Sequence, residues 1–363
     1  VRRGAVEDLG MNRSFWNNKR VFITGHTGFK GGWLSLWLAD AGANVSGYAL
    51  DPPTDPNFFD TCKLRDCFTS HAVADVRDRD TLLRAIQAAE PDIVLHLAAQ
   101  PLVRQSYREP VETYAVNVMG TVNLLDAIRQ TGGTRTVVNV TTDKCYENRE
   151  WHWPYRERDV LGGHDPYSSS KACSELVTAS YRSAFLASAD TAVASARAGN
   201  VIGGGDWATD RLVPDFLRAI DDGRPLIIRS PLATRPWQHV LEPLSGYLML
   251  AERLHGDKET WSEAWNFGPD EYDIMTVEWL VDHLCRLMPG SSWERDKQAH
   301  PHEAHDLRLD SSRARQLLGW QPRWQIDRAL EQTVAWHQAF GNGDNMAAVS
   351  LAQIGEYEQA GSA

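Results

Sequence analysis

Short apolar runs alternate with helical patterns through the first two hundred residues of the chain. The runs that predict strands lie at residues 20–24, 44–49, 92–97, 136–141 and 192–197. Strands that alternate with helices in this way form βαβ units around a parallel sheet. The pattern therefore predicts an α/β fold with a doubly wound parallel sheet.

The second half of the chain follows a different pattern. Residues 111–129 still predict an amphipathic helix, because apolar side chains recur there at steps of three and four. Beyond about residue 200, prolines and glycines punctuate short segments, which indicates a smaller lobe. We expect a first domain at 11–199 with a returning segment near 236–268 (a strand at 265–268), a smaller lobe at 200–345, and flexible ends at 1–10 and 346–363.

Composition and charge exclude several classes of protein. The 363 residues exceed one ordinary domain, and a hydrophobic content of 42% suffices for a packed core. No apolar run approaches the ~20 residues needed to cross a bilayer. The net charge of −11 argues against non-specific nucleic-acid binding, which needs a basic face. We therefore expect a cytoplasmic enzyme that binds neither membrane nor nucleic acid and meets any anionic substrate with local arginines.

Neither the cysteines nor the histidines form a metal-binding pattern. The cysteines lack paired metal spacing and the context of a small secreted domain, which predicts reduced cytosolic thiols at 62, 67, 145, 173 and 285. His26, His239 and the pair His300 and His302 have no carboxylate partner at metal-ligand spacing, so no metal is predicted. The residues before Met11 contain no apolar segment like that of a signal peptide, and we exclude them from the fold.

A glycine-rich turn follows the first predicted strand. Gly25, Gly28 and Gly31 lie between that strand and a helical pattern, with the spacing G-x-x-G-x-x-G. Glycines let the backbone approach a pyrophosphate closely, and the helix start supplies amide donors. Lys30, inside this turn, faces either the pyrophosphate or solvent.

An acidic residue is expected after the second strand of such a unit, where it binds the adenosine ribose. Asp51 stands at that position. It leaves no obvious cation for a 2′-phosphate, which favours NAD over NADP. Asp51 also begins a turn with Pro52 and Pro53, and the two interpretations are compatible.

Tyr167 and Lys171 are four residues apart and form the most informative pair of the sequence. On a helix such residues are neighbours, so the ammonium of Lys171 would favour the phenolate of Tyr167. An opposite charge can lower a pKa by about 1–3 units, which would bring the phenol toward the range of a general base. Thr142, Asp143 and Lys144 precede the pair and complete a candidate active site.

These residues together resemble the extended short-chain dehydrogenase/reductase family that acts on nucleotide sugars, over about residues 19–340. The resemblance also includes Asp75-Val76, His96-Leu97-Ala98-Ala99-Gln100, Asn117 and Thr141. It implies a Rossmann-like NAD-binding domain with a C-terminal sugar-nucleotide lobe. The implied cofactor-binding residues are Gly25, Thr27, Gly28, Phe29, Lys30, Gly31, Asp51, Asp75, Val76, Leu97, Ala98, Ala99, Thr141, Tyr167 and Lys171.

Within this family, the Thr-Asp-Lys-x-Tyr stretch from Thr142 resembles nucleotide-sugar 4,6-dehydratases. The segments 25–33 and 235–247 are most similar to the members that act on CDP-glucose. The resemblance implies that Tyr167 takes the proton of the sugar C4 hydroxyl while NAD accepts the C4 hydride, and that Asp143 protonates the departing C6 hydroxyl. A sugar-nucleotide 4-epimerase would have no use for an acid at 143, and a non-catalytic NAD-sensing protein would typically lose the tyrosine or the lysine.

Lys144 departs from the pattern of dehydratases acting on dTDP-sugars, which carry a glutamate there. It can remove the C5 proton only if its pKa falls from ~10.4 toward ~7–8. As a cation it could instead stabilise the enolate. The third alternative is a purely structural pairing with Asp143 or Glu147.

The sugar-nucleotide phosphates need donors, and arginine forks bind phosphate bidentately. Asn200, Arg211, Arg235 and Arg308 are the candidates, of which Arg235 and Arg308 are preferred because their contexts resemble nucleotide-binding segments of the family. Gln100, Asn117 and His239 complete the expected substrate-binding set. Trp237 either stacks on a base or fills the core. The helix at 111–129 and the helix carrying Tyr167 commonly pair with their copies in this family, which implies a homodimer or homotetramer.

Overall fold

The computed structural model describes residues 10–296 and 306–361. Its strands are β1 (Arg20–Thr24), β2 (Asn44–Ala49), β3 (Phe68–Val73), β4 (Ile93–His96), β5 (Thr136–Val140), β6 (Ala192–Ala198), β7 (Val201–Ile202), β8 (Leu226–Ile228), β9 (Thr234–Pro236), β10 (Gln238–His239), β11 (Ala264–Phe267), β12 (Ile274–Thr276) and β13 (Trp293–Arg295).

Helices cover much of the remaining chain. They are α1 (Arg13–Trp16), α2 (Phe29–Asp40), α3 (Phe58–Thr61), α4 (Arg79–Ala89), α5 (Val103–Arg108), α6 (Pro110–Tyr114), α7 (Gly120–Thr131), α8 (Pro166–Ala184), α9 (Leu212–Asp221), α10 (Leu241–Gly256), α11 (Lys258–Trp261), α12 (Val277–Leu287), α13 (Ile326–Gly341) and α14 (Met346–Ala360). Short 3₁₀ turns lie at Leu64–Cys67, Asp143–Cys145 and Glu271–Asp273, and π turns at Ala115–Met119 and Ala314–Leu318. Among the described residues, no helix is both long and apolar enough to span a bilayer.

A seven-stranded parallel sheet forms the centre of the molecule, in the order β11-β6-β5-β4-β1-β2-β3. The reversal of strand order at β1 and helices on both faces make the fold Rossmann-like, as predicted. All five predicted strands are confirmed. The edge strand β3 escaped prediction because its sequence, Phe-Thr-Ser-His-Ala-Val, is half polar and partly exposed, so it has no continuous apolar run.

The later half of the chain contributes to the same central core. Strand β11 pairs with β6, so the strand expected at 265–268 is present at 264–267. Helix α10 is apolar on nearly all sides and packs into the main core. The division of the chain near residue 199 stays a prediction.

The expectation of a flexible end at 346–363 is wrong for residues 346–360. They form α14, whose Ile354 and Tyr357 are fully buried in the main core. Tyr357 donates to the buried carboxylate of Glu242 on α10 at 2.7 Å, and Trp37 of α2 donates to Glu358 at 2.9 Å. The helix is therefore fixed to the sheet layer by packing and by hydrogen bonds.

Three two-stranded sheets lie beyond the carboxyl edge of the main sheet: β7 with β10, β9 with β12, and β8 with β13. A second core, which includes Phe216, Trp237, Leu280 and Leu284, joins them to α9, α12 and α13. This unit and the edge of the main sheet together enclose a cavity.

Candidate active site

The cavity has a volume of about 1140 Å³. Its walls come from the turn after β1, the carboxyl ends of β2, β4 and β5, the start of α8, and the segment from β6 to α9. In a doubly wound sheet, ligands bind at the carboxyl ends of the strands. The cavity therefore occupies the position that this fold provides for a ligand.

The glycine-rich turn forms one end of the cavity. Gly25 has φ +79°, and a Cβ there would lie 2.7 Å from the amide nitrogen of Ala98. At Gly31 a Cβ would lie 2.1 Å from the carbonyl oxygen of Gly25. Gly28 caps the start of α2 and offers no side-chain acceptor, so no cap side chain bonds the first amides of the helix, whose residues Phe29 and Lys30 line the cavity. This cradle fits a dinucleotide pyrophosphate.

The side of the cavity that is predicted to bind the adenosine of the cofactor lies at the carboxyl ends of β2 and β3. Thr27 donates to the carbonyl oxygen of Leu50 at 2.9 Å, which fixes the glycine turn beside Asp51, an exposed residue on the cavity wall. The carboxylate of Asp75 pairs with Arg77 at 2.5 Å, and this hydrogen-bonded partner holds the pKa of Asp75 below its usual value. All fifteen predicted cofactor residues line the cavity.

Thr142 connects the two central ionisable groups of the site. It follows the carboxyl end of β5, and its hydroxyl donates to Oδ1 of Asp143 at 3.0 Å and shares a hydrogen bond with the Tyr167 phenol. Tyr167 lies in the first turn of α8, where its amide donates to Ser106 Oγ at 3.1 Å. Asp143 and Tyr167 are both buried.

The prediction that Lys171 lowers the pKa of Tyr167 is wrong for the protein alone. Burial raises the pKa of Tyr167 to about 12, against the opposing effects of the Thr142 hydrogen bond and the charge of Arg211. Lys171 donates to the carbonyl oxygen of Val140 at 3.3 Å, and burial lowers its pKa to about 8. The loss of solvation therefore has a larger effect on the pKa of Tyr167 than the pairing with Lys171 that the spacing suggested.

Asp143 has the environment of a proton donor. Burial raises its pKa, although the charge of Lys144 and the Thr142 hydrogen bond oppose that effect. Its Oδ2 has no hydrogen-bond partner among the described residues and faces Gly199, where a Cβ would lie only 2.9 Å away. A buried carboxyl with one unclaimed oxygen can hold a proton and present it to a ligand. The role of Lys144, which lines the same cavity, stays a prediction.

Three of the predicted substrate-binding residues line the cavity: Asn200, Arg211 and Arg235. Arg211 pairs with Asp206 at 2.8 Å, and the buried Arg235 donates to the carbonyl oxygen of Thr234 at 2.8 Å.

Sequence reasoning missed three further arginines of the wall, which are Arg104, Arg149 and Arg229. Arg104 and Arg229 both face Asp210, at 3.3 and 3.5 Å. No local motif marks them, because only the fold brings α5 and the end of β8 to one carboxylate.

Gln100 and Asn117 lie behind the cavity wall, contrary to prediction. The Gln100 side-chain amide donates to Thr113 at 2.8 Å, and its carbonyl accepts from the Leu102 amide. The side-chain oxygen of Asn117 accepts from the backbone amide of Gln100 at 2.8 Å, and the side-chain nitrogen of Asn117 donates to Ser170 Oγ at 2.8 Å. Both side chains are therefore occupied in holding the loop after β4 against α8.

His239 and Arg308 also lie outside the wall. His239 is fully buried between Trp33 and Trp324, and burial lowers its pKa to about 3. Arg308 forks onto Asp306, with the closer contact at 3.1 Å. Trp237 belongs to the second core, as one of its two alternatives predicted, and it also lines the cavity. Stacking of Trp237 on a base stays a prediction.

The described residues contain no group of three or more side chains placed to hold a metal ion. His26 is enclosed by Phe59, Phe68 and His71, and burial lowers its pKa to about 3. His300 and His302 lie outside the described residues. The five cysteines are free thiols.

Comparison with known proteins gives a consistent result. Residues 22–333 match the model of the GDP-mannose 4,6 dehydratase family. The chain is 52% identical to the CDP-glucose 4,6-dehydratase of Salmonella typhimurium over 96% of this chain and 99% of that protein. It is 27% identical to the UDP-glucose 4-epimerase of Mycolicibacterium smegmatis over 87% of this chain and 97% of that protein. In fold it is similar to the dTDP-glucose 4,6-dehydratase of Bacillus anthracis in complex with NAD, with a TM-score of 0.73 at 19% identity over 90% of this chain and 99% of that one.

Proposed function

We propose that this chain, which belongs to the GDP-mannose 4,6-dehydratase family, converts CDP-D-glucose to CDP-4-keto-6-deoxy-D-glucose and water. The observation that carries the proposal is the near full-length identity of 52% to a CDP-glucose 4,6-dehydratase. The buried Thr142, Asp143 and Tyr167 cluster supports it, because the reaction needs both a base at C4 and an acid at C6.

NAD is the proposed cofactor, and when bound it would accept the C4 hydride and later return it to C6. The cradle at Gly25 and Gly31 and the uncapped start of α2 support pyrophosphate binding. Asp51 would bind the adenosine ribose, and Lys171 would reach the nicotinamide ribose.

Tyr167 removes the proton of the C4 hydroxyl as the phenolate, which requires that the bound ligands lower its pKa from the value of about 12 that burial gives it in the protein alone. Thr142 holds the same oxygen in place. Once C4 is a ketone, the C5 hydrogen becomes acidic and can be removed. The buried carboxyl of Asp143 then gives its proton to the departing C6 hydroxyl. Burial raises the pKa of Asp143, which favours the protonated acid that this step needs. Lys144 either takes the C5 proton or stabilises the enolate.

The diphosphate of the substrate would meet Arg211, Arg235 and Asn200, which line the same cavity. The cavity also contains Arg104 and Arg229, which both pair with Asp210. The cytosine assignment rests on the similarity to the Salmonella enzyme.

A homodimer or homotetramer is the proposed assembly, formed through α6, α7 and α8. Large apolar side chains of these helices and of the π turn between α6 and α7 are exposed in the single chain: Val111 (82%), Met119 (51%) and Leu176 (58%). Such a group of apolar side chains favours association with a second copy. We infer a cytoplasmic location from the free thiols and the substrate class.

The test is incubation with CDP-glucose, followed by measurement of the alkaline absorbance of a 4-keto sugar. UDP-, dTDP- and GDP-sugars serve as controls. The proposal expects product from CDP-glucose without net accumulation of NADH. Absence of a 6-deoxy product from every donor would contradict it.

A further inference from the structure

One buried ion pair lies behind residues 142–145, the catalytic turn that carries Thr142 and Asp143. It joins Glu175 of α8 to Arg197 of β6, whose guanidinium fork lies 2.9 Å from each carboxylate oxygen. Both side chains are buried, and both residues lie outside the cavity wall. The pair can therefore affect the reaction only through the residues that it holds.

The ion pair holds the chain on both sides of the catalytic turn. Before the turn, the Thr141 hydroxyl donates to Oε1 of Glu175. After the turn, Nη1 of Arg197 donates to the phenol oxygen of Tyr146 at 2.7 Å. The catalytic turn lies between these two contacts, so its position depends at both ends on the same ion pair.

The returning strand β11 completes this network. The Tyr146 phenol donates to Oδ1 of Asn266 at 2.7 Å. The side-chain nitrogen of Asn266 donates to the carbonyl oxygens of Tyr155 at 2.9 Å and Asp310 at 3.1 Å. Asn266 is fully buried. The residue that follows the catalytic turn is therefore fixed to the edge strand of the main sheet and to a later part of the chain.

The pair supplies geometry as well as charge. Burial opposes the charge of Glu175, but Arg197 and the hydrogen bonds from Ser195, at 2.6 Å, and Thr141 hold the pKa of its carboxyl below the usual value. A bidentate arginine fixes the orientation of the carboxylate that it binds. A lysine in its place could supply the charge, but not the planar set of donors that reaches both Glu175 and Tyr146.

We propose that Glu175 and Arg197 are positioning residues that set the geometry of the catalytic turn and, through it, of Thr142 and Asp143. This inference rests on the proposed function, in which Thr142 holds the C4 oxygen and Asp143 protonates the C6 hydroxyl. Because both residues belong to one turn, displacement of the turn should slow C4 oxidation and the elimination together. Loss of the acid alone would slow only the elimination.

Two substitutions test this role. Glu175→Gln keeps the shape of the side chain and removes its charge, whereas Arg197→Lys keeps the charge and removes the fork. Melting curves define a temperature at which each variant is folded, and turnover of CDP-glucose is then measured at saturating NAD. We expect kcat per folded site to fall about tenfold or more in both variants, because a misplacement of ~1 Å can cost ~10²-fold. Stopped-flow absorbance should show slow C4 oxidation and no accumulation of reduced nicotinamide.

Glu242→Gln is the matched control. Glu242 is also a fully buried carboxylate, and it accepts from the Tyr357 hydroxyl and from the Trp324 amide, each at 2.7 Å. These contacts join α10 to α14 and to the segment before α13. The control should therefore keep the wild-type kcat per folded site even if its melting temperature changes.

Wild-type turnover per folded site in either Glu175→Gln or Arg197→Lys would overturn the inference, because the pair would then contribute to stability alone. Accumulation of reduced nicotinamide in these variants would also contradict it, since C4 oxidation would then be intact. Failure of the proposed function has a different signature, because the wild-type protein itself would then form no product.

Discussion

Replacement of Asp143 by asparagine separates the two halves of the proposed reaction. Asparagine has the same shape and can still accept the Thr142 hydrogen bond made at 3.0 Å, so the site should keep its geometry. It cannot donate a carboxylic acid proton to the C6 hydroxyl. Loss of a general acid typically slows a step by ~10²–10⁴, which corresponds to about 2.7–5.4 kcal/mol of activation free energy.

Oxidation at C4 does not use this acid and should continue in the variant. Reduced nicotinamide should therefore accumulate toward one equivalent per site, which stopped-flow absorbance detects, while product forms ~10²–10⁴ times more slowly. Asp190→Asn, at a carboxylate that is 86% exposed, is the control and should behave as the wild type. Wild-type turnover by Asp143→Asn would refute the assignment of the acid.

Four further substitutions test the cofactor cradle and the buried carboxylates. Gly31→Ala places a Cβ 2.1 Å from a backbone oxygen and should weaken NAD binding tenfold or more by calorimetry, whereas Gly28→Ala, with its nearest atom at 3.5 Å, should be milder. Glu175→Gln leaves the buried Arg197 without its partner at 2.9 Å and should cost about 3–5 kcal/mol in urea unfolding; an unchanged midpoint would contradict this. Burial raises the pKa of Glu242 to about 7. The wild type should therefore lose a few kcal/mol of unfolding free energy as the pH rises from ~4.3, the pKa of a free glutamate, to about 7. Glu242→Gln should lack this part of the pH dependence.

The features that could be predicted from sequence are those set by local spacing. The strand, glycine turn and helix from Arg20 onward are encoded within some twenty residues, and the structure places the turn where a pyrophosphate would bind. The pair Tyr167 and Lys171 lies on one helix as its spacing required, and both residues line the cavity.

Errors arose where the outcome depended on packing between distant segments. Gln100 and Asn117 belong to matching motifs, but neither side chain faces the cavity. The Asn117 side chain bonds the backbone of Gln100 and the hydroxyl of Ser170, and the Gln100 side chain bonds Thr113 and the Leu102 amide. The expected effect of Lys171 on Tyr167 failed because burial, which one sequence does not reveal, has the larger influence on the pKa. Helix α14 was missed because its apolar residues are spread around the helix and form no single stripe, and their burial depends on α2, α10 and α13.

The central claim is that one bound nicotinamide takes a hydride from C4 and returns it to C6 of the same sugar. The most direct measurement uses CDP-glucose carrying deuterium at C4, with the product analysed by NMR and mass spectrometry. The account predicts deuterium at C6 of the 6-deoxy product and no net reduced cofactor. Deuterium released to solvent, or retained in accumulated reduced cofactor with no label at C6, would contradict it.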